Sequence, residues 1–389
     1  MKKNRVKDAL ERLELCTGRI DAWTSRADKL QDETPQSRLK LKFSASLGTI
    51  QENATKVHGA ISRNWCNDNP VHTACLLLEQ RLVRSKKRKR PLQETSSNLV
   101  AQATCFGLSL RGDCKAPSQW FDSEIRIDQF SSSLCKVIRQ PQNPFVVFCL
   151  NENGHLKSRP SLKETAAAYA QQSLSLEALL PRFQTKLPLE EVYGLAITLV
   201  ASMFQLSHTP WLETKWSKKN IMFARANSKM SLTVDLRYPS LVKEFDRGAL
   251  LQTSTLNPTS QLIQKSGART QRPDDTSTNR TCSNLLALAI MLLEISSGRP
   301  IEQRLGDDQI MNILPTDQSG LQLAEAWLRE EKAHGRLSCA FSRAILTCLQ
   351  EYLNPDADFG DEQYCNAFKE KALLPLEEEM EYLVFGPLR

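Results

Sequence analysis

The sequence predicts an α+β protein: an N-terminal helical hairpin, a small five-stranded region containing one helix, and a large helical region. Three observations carry this. Two apolar stripes at helical spacing lie within residues 1–70, five short strand-like runs occupy 71–170, and helical periodicity dominates 171–389.

In the first region Val6, Leu10, Leu13 and Ile20 fall at helical spacings, and Trp23 extends their apolar side. Leu47, Ile50, Ala54, Val57 and Ile61 repeat in a 3-4-3-4 rhythm, the stripe of a helix packed on a neighbour. Asp32, Pro35 and Ser37 separate the two. The second stripe is too short for a dimerising coiled coil.

The strand-like runs are Thr73 to Leu78, Thr104 to Arg111, Trp120 to Ile127, Pro144 to Leu150 and His155 to Ser158, the last entered through an Asn153-Gly154 turn. Ser131 to Arg139 reads as a helix between the third and fourth. Beyond Ser173, Leu189, Val192, Ala196, Leu199, Met203 and Leu206 keep one helical face apolar. Cys282 to Ser297 is apolar nearly all round, and Gly298 is placed to end it. Helices follow at about 320–333 and 339–353, the second with Ser338 as N-cap, and a last one carries Phe368, Leu373, Leu376 and Met380. The Ser/Thr/Gln/Pro-rich stretch from Pro239 to Thr281 has no clear period and reads as a mobile loop.

Composition narrows the function classes. The formal charge is +7, but Arg84, Lys86, Lys87, Arg88, Lys89 and Arg90 supply six of it, leaving +1 for the rest. The basicity is local and gives a broad nucleic-acid-binding face no support. Eleven cysteines are scattered without any Cys-x-x-Cys, which fits reduced, buried thiols in a cytoplasmic protein. The N-terminus lacks an apolar core of signal-peptide length, and Val192 to Gln205 is too short to span a bilayer, so no membrane span is expected. The run Lys86, Lys87, Arg88, Lys89, Arg90 has the composition of a nuclear-import signal, which makes importin a candidate partner and the nucleus a second location. The same run also suits a solvated loop between two strands.

A five-strand region with one helix, followed by a helical region, resembles the layout of protein kinases. LALAIMLLEISSGRP resembles their central helix, and SLSLEALL (173–180) sits where a short helix follows the hinge. From about residue 40 onward the chain resembles more specifically a fungal family, domain of unknown function 7580. Trp65-Cys66 with His72-x-Ala74-x-Leu76-x-Leu78, Leu206 to Trp211 with Trp216-Ser217-Lys218, LALAIMLLEI with GRPIE, and CLQ with PLEEEM carry this resemblance. It implies a kinase-like C-terminal half, in a family with no established activity whose members often follow a helical domain linked to fungal prion and cell-death signalling.

Kinase chemistry needs a phosphate loop, a lysine, an acid, a base and metal ligands at set positions. The interval RLVRSKKRKRPLQETSSNLVAQ, where a phosphate loop belongs, holds no glycine. The third strand offers Arg126 in place of a lysine, and SSSLCKVIR offers no acid. Counting back five residues from Asn220 reaches Lys215, and counting forward two from His208 reaches Pro210. Glu213 lies between and satisfies neither spacing. Asn220 and Asp235 remain as degenerate magnesium and nucleotide positions, and no cofactor is implied. His208 also reads as a helix end before Pro210. Cys66, His72 and Cys75, with Asp68 as a forced fourth ligand, read as packing residues rather than a metal site. Trp211 and Trp216 are expected to plug the cleft where phosphates would lie.

The reading that follows is a non-catalytic interaction or signalling module with an unidentified protein partner. Two alternatives stand beside it: an atypical nucleotide-binding protein or phosphotransferase using Asn220 and Asp235, and a nuclear adaptor with a basic import loop.

Overall fold

A computed structural model describes residues 40–65, 71–85, 105–112, 121–126, 145–150, 156–160, 169–183, 187–213, 215–226, 234–246, 274–304 and 317–385. In chain order these form β1 (Lys40–Phe43), α1 (Leu47–Asn64), β2 (Val71–Leu77), β3 (Leu82–Ser85), β4 (Cys105–Gly112), β5 (Phe121–Arg126), β6 (Phe145–Leu150), β7 (Leu156–Pro160) and β8 (Tyr169–Ser175). Then come α2 (Leu176–Leu179), α3 (Leu189–Leu206), β9 (Ile221–Ala226), β10 (Val234–Asp246), α4 (Asp274–Ser297), α5 (Asp317–Ala333), α6 (Cys339–Tyr352), α7 (Glu362–Phe368) and α8 (Leu374–Phe385). The chain is therefore a mixed α+β protein. The described residues of Leu41–Val83 and Lys87–Arg389 form one compact unit.

Five of the strands were anticipated, with ends shifted by a residue or two. Their sheet does not stop at five. It has eight strands in the order β7-β6-β5-β4-β2-β10-β9-β8, while β1 and β3 make a separate pair. The long β10 joins the two halves of the sequence, running antiparallel to β2 from Ser240↔Leu77 to Asp246↔Val71 and antiparallel to β9 on its other side. β5 and β6 are parallel, and their neighbours are antiparallel. The fit of β4 against β2 depends on Gly107, where an added Cβ would lie 2.9 Å from Leu77 Cδ2.

The stretch from Pro239 to Thr281 is not a loop throughout. Pro239 to Asp246 is strand, and from Asp274 the chain is helical; residues 247–273 lie outside the described residues. Leu241 and Phe245 alternate inward as a strand requires, and both are buried. Pro239 disguised this pattern. It stands at an irregularity where Val234↔Arg225 is followed by Pro239↔Phe223, a position at which a sheet tolerates proline. The first helix of the predicted hairpin, the predicted helix Ser131 to Arg139 and the basic run Lys86 to Arg90 lie outside the described residues.

α1 is the predicted second stripe. Ser46 caps it by accepting from Thr49 N, and Ile50, Ala54, Val57 and Ile61 are fully buried. α3 is buried from Leu195 to Leu206. With 18 residues it is longer than the predicted apolar stretch, and it is long and apolar enough to cross a membrane, yet 72% of it is covered by the protein. Gln80 and Gln205 lock it to the sheet: Gln205 Nε2 donates to Glu79 O and Gln80 O at 2.8 and 3.0 Å, and Gln80 Nε2 reaches Gly194 O and Thr198 Oγ1.

α6 begins at Ser338 as the sequence indicated. Ser338 Oγ and Ala340 N both donate to Glu379 Oε2 of α8, and Tyr193 OH of α3 donates to Ser338 Oγ, so three helices meet at one cap. Burial raises the Glu379 carboxyl above its ordinary range, and these donors offset part of that rise. α4 ends at Gly298, whose φ is +67° and whose N–H donates to Glu294 O at 2.8 Å. Gly298→Ala places a Cβ in this left-handed conformation. The variant is expected to lose about 1–2 kcal/mol of stability, read as a lower urea midpoint at unchanged m-value.

Candidate functional site

The segment from Leu206 to Asn220, between α3 and β9, is the candidate site. α3 terminates at Ser207, and His208 takes a left-handed φ of +60°. Thr209 Oγ1 then donates to Leu206 O at 2.6 Å, and Pro210–Leu212 make one 3₁₀ turn. Ser217 to Asn220 form a second turn, closed by Asn220 N to Ser217 O at 2.9 Å, which feeds β9.

Contacts from α1, α4 and β10 hold this loop, those from α4 and β10 through its backbone. From α1, Gln51 Nε2 donates to Phe204 O at 2.9 Å and Ser207 Oγ at 3.1 Å, while Trp211 Nε1 donates back to Ala54 O at 2.9 Å. From α4, Asn284 Nδ2 donates to Leu212 O at 3.1 Å and its Oδ1 accepts from Trp216 N at 2.8 Å. From β10, Val242 N donates to Asn220 O at 2.8 Å. His208 Nε2 meets Asp358 Oδ1 at 2.9 Å on the outer side.

The deepest contact is ionic. Lys218 Nζ lies 2.5 Å from Glu294 Oε1 and 2.6 Å from Glu302 Oε2, and Ile301 N donates to the same Glu294 oxygen at 2.8 Å. Glu294 is fully buried, Lys218 nearly so, and Glu302 half-exposed. Burial draws the Lys218 ammonium down, but the two carboxylates together outweigh it and hold it above the ordinary lysine range. Burial pushes the Glu294 carboxyl up, further than Lys218 and the Ile301 amide pull it down.

The residues singled out from sequence are not gathered into one centre. Asn220 stands half-buried in the turn before β9. Asp235 is engaged by its neighbour: Arg237 Nε donates to Oδ1 at 2.9 Å and Nη2 to Oδ2 at 2.7 Å, with Arg237 N adding a third donor. These bonds hold the Asp235 carboxyl below the usual carboxylate range. In the strand register Asn220 faces Val242, whereas Val234, beside Asp235, faces Arg225. Asp235 is one step nearer, so about four positions along β9 separate it from Asn220, roughly 13 Å at about 3.3 Å per residue. Magnesium ligands sit about 2.1 Å from the ion, so Asn220 and Asp235 do not share one ion.

Glu213 and Lys215 are exposed, and Pro210 begins the 3₁₀ turn. Burial lowers Lys243, and Glu213 counteracts that shift, which places the Glu213 charge toward β10. Both tryptophans are buried, as a plugging role requires. Trp211 faces α1, and the backbone of Trp216 is held by α4. His72 and Cys75 are three positions apart on β2 and so point to opposite faces of the sheet. His72 instead stacks on Trp65 with ring centroids 4.5 Å apart. Cys66 and Asp68 lie outside the described residues, as do Lys86, Lys87, Arg88, Lys89 and Arg90, and the Arg126 side chain is likewise not described. Among the described residues no group of three His, Cys, Asp or Glu side chains could hold a metal.

The sequence reading missed Gln51, Asn284, Glu294 and Glu302. A signal for two of them was present. Asn284 and Glu294 interrupt the apolar run CSNLLALAIMLLEISS, and a polar side chain on a fully buried helix needs a partner.

A family model described as "Domain of unknown function (DUF7580)" matches residues 45–358, a span containing the loop and every residue that anchors it. No curated protein and no solved structure matches the chain.

Lys218→Met leaves Glu294 buried without its cation and is expected to cost about 3–5 kcal/mol, read by chemical denaturation. Pairing it with Glu294→Leu removes both charges and should recover most of that loss. The two carboxylates hold the native ammonium above the ordinary lysine range. Its stabilising contribution is therefore complete below pH about 10.5 and is lost as the pH rises through the raised value. The alkaline limb of the stability profile should flatten in the double variant.

Proposed function

The chain belongs to the family described as domain of unknown function (DUF7580), and from that premise we propose that it is a non-catalytic, kinase-like interaction module of a fungal signalling protein. The observation that carries this reading is the use made of the Leu206–Asn220 loop. Phosphoryl transfer needs a base at the substrate hydroxyl, a lysine and a backbone cradle for phosphates, and ligands for magnesium. At the positions counted for the base stand Pro210 and Lys215, and Lys218 is committed to Glu294 and Glu302. Leu212 O and Trp216 N of the loop are taken by Asn284, Lys218 O by Glu177 N and Asn220 O by Val242 N. The sequence resemblance to kinases suggests the class, although the eight-stranded sheet departs from a five-stranded lobe, and a tied loop supports a scaffold over a catalyst.

The nucleotide reading asks Asn220 and Asp235 to act together. Their register separation and the Arg237 fork on Asp235 weigh against it. The import reading concerns Lys86 to Arg90 and is compatible with a scaffold in either compartment.

Titrating magnesium and ATP into the protein should leave its melting temperature unchanged. A ligand at 100 times its Kd would add about 2.7 kcal/mol. A rise of several degrees that disappears in both Asn220→Ala and Asp235→Ala would overturn the non-catalytic reading in favour of the nucleotide site.

A further inference from the structure

α1 meets the loop through an aromatic cluster with a histidine at its centre. The His58 ring lies edge-on to Trp211 at 5.3 Å and tilted to Phe245 of β10 at 4.9 Å. Trp65, which closes α1, stacks on His72 and also approaches Phe245 at 6.4 Å. His58 Nε2 and Trp65 Nε1 are both buried, and neither finds a hydrogen-bond partner among the described residues. A neutral imidazole tolerates this setting far better than an imidazolium, whose second N–H would be buried beside apolar rings.

The charged groups around His58 offer a proton no compensation. β10 contributes Lys243, whose cation acts against a charge on His58 and is itself countered by Glu213 of the loop. α3 carries no charged residue beyond Glu190 and Glu191 in its first turn, and Pro210–Leu212 carry none. β2 presents His72, stacked on Trp65. On α1 itself, Glu52 and Lys56 pair with each other at 2.7 Å on the exposed face, and Arg63 lies in the last turn.

We propose that α1 is an acid-releasable strap over the Leu206–Asn220 loop, with His58 as the contact that a proton breaks. The strap is joined to the loop by Gln51, by the Trp211–Ala54 hydrogen bond and by the ring cluster, and all three sit on one helix face. Burial, with Lys243, lowers His58 from 6.5 to about 4. The docked helix thus prefers the neutral ring. Docking is complete above pH about 6.5 and weakens as the pH falls toward 4, by at most about 30-fold at pH 5. Release would uncover Trp211 and the apolar face of α1 together, a surface a protein partner could take.

Hydrogen exchange on the full chain, corrected for intrinsic rates, tests this. Between pH 7 and pH 5 the amides of residues 50–61 are expected to lose protection by up to about 30-fold, while those of residues 340–349 in α6 keep theirs. His58→Phe retains the ring packing without the titrating nitrogen and should hold α1 protected throughout. The proposal is overturned if α1 and α6 lose protection together, if α1 keeps full protection at pH 5, or if His58→Phe behaves like the unaltered chain. The comparison of α1 with α6 in the unaltered chain stands even if the variant does not fold.

Discussion

A carboxylate with no exposure to water, Glu294, sets a demand that the surrounding structure must meet. An ionised group removed from solvent costs several kcal/mol after relaxation unless a counter-charge and hydrogen bonds replace what water gave it. Lys218, the Ile301 amide and, through Lys218, Glu302 make that replacement at Oε1, while Oε2 finds no hydrogen-bond partner among the described residues. Because Lys218 belongs to the loop and Ile301 to the turn beyond Gly298, the demand fixes both relative to α4. Asn284, about ten residues earlier on the same helix, fixes the loop again through Leu212 and Trp216. Two polar residues on an otherwise apolar helix thus specify where a whole connection runs.

Most of the helices were legible because their apolar stripes are local properties of the chain. Ile50, Ala54, Val57 and Ile61 point one way on a helix whatever it packs against, and Ser338 announces an N-terminus from its own side chain. The sheet was legible strand by strand but not in extent. Nothing local in Ser240 to Asp246 says that its partner is Val71 to Leu77, about 170 residues earlier. Pro239, a breaker by local rules, hid the strand further by standing at its irregular point.

The site was the least legible part, and the reason is geometric. Asn220 and Asp235 were paired by counting along the chain, where 15 positions separate them. In an antiparallel hairpin such counting gives proximity only when the intervening turn lies midway between the two residues. Here the hairpin folds between Ala226 and Val234, so the residue facing Asn220 is Val242, and Asp235 stands near the turn end of β9. Arg237, two residues on and on the same side of the strand, then takes up its carboxylate.

The arrangement of the loop bears on how its role could change without loss of the fold. A connection held by its own backbone amides and carbonyls is indifferent to most of its side chains. Asn284 reads Leu212 O and Trp216 N, and Val242 N reads Asn220 O, whatever those residues carry. Glu213 and Lys215 are correspondingly exposed. The side chains that do matter, Trp211, Trp216 and Lys218, point inward and are tied to packing and charge balance. Chemistry at such a loop would need outward-facing acids and donors held to within a fraction of an ångström by neighbours. This loop spends its well-positioned groups on the interior instead, which is the physical content of reading it as a scaffold.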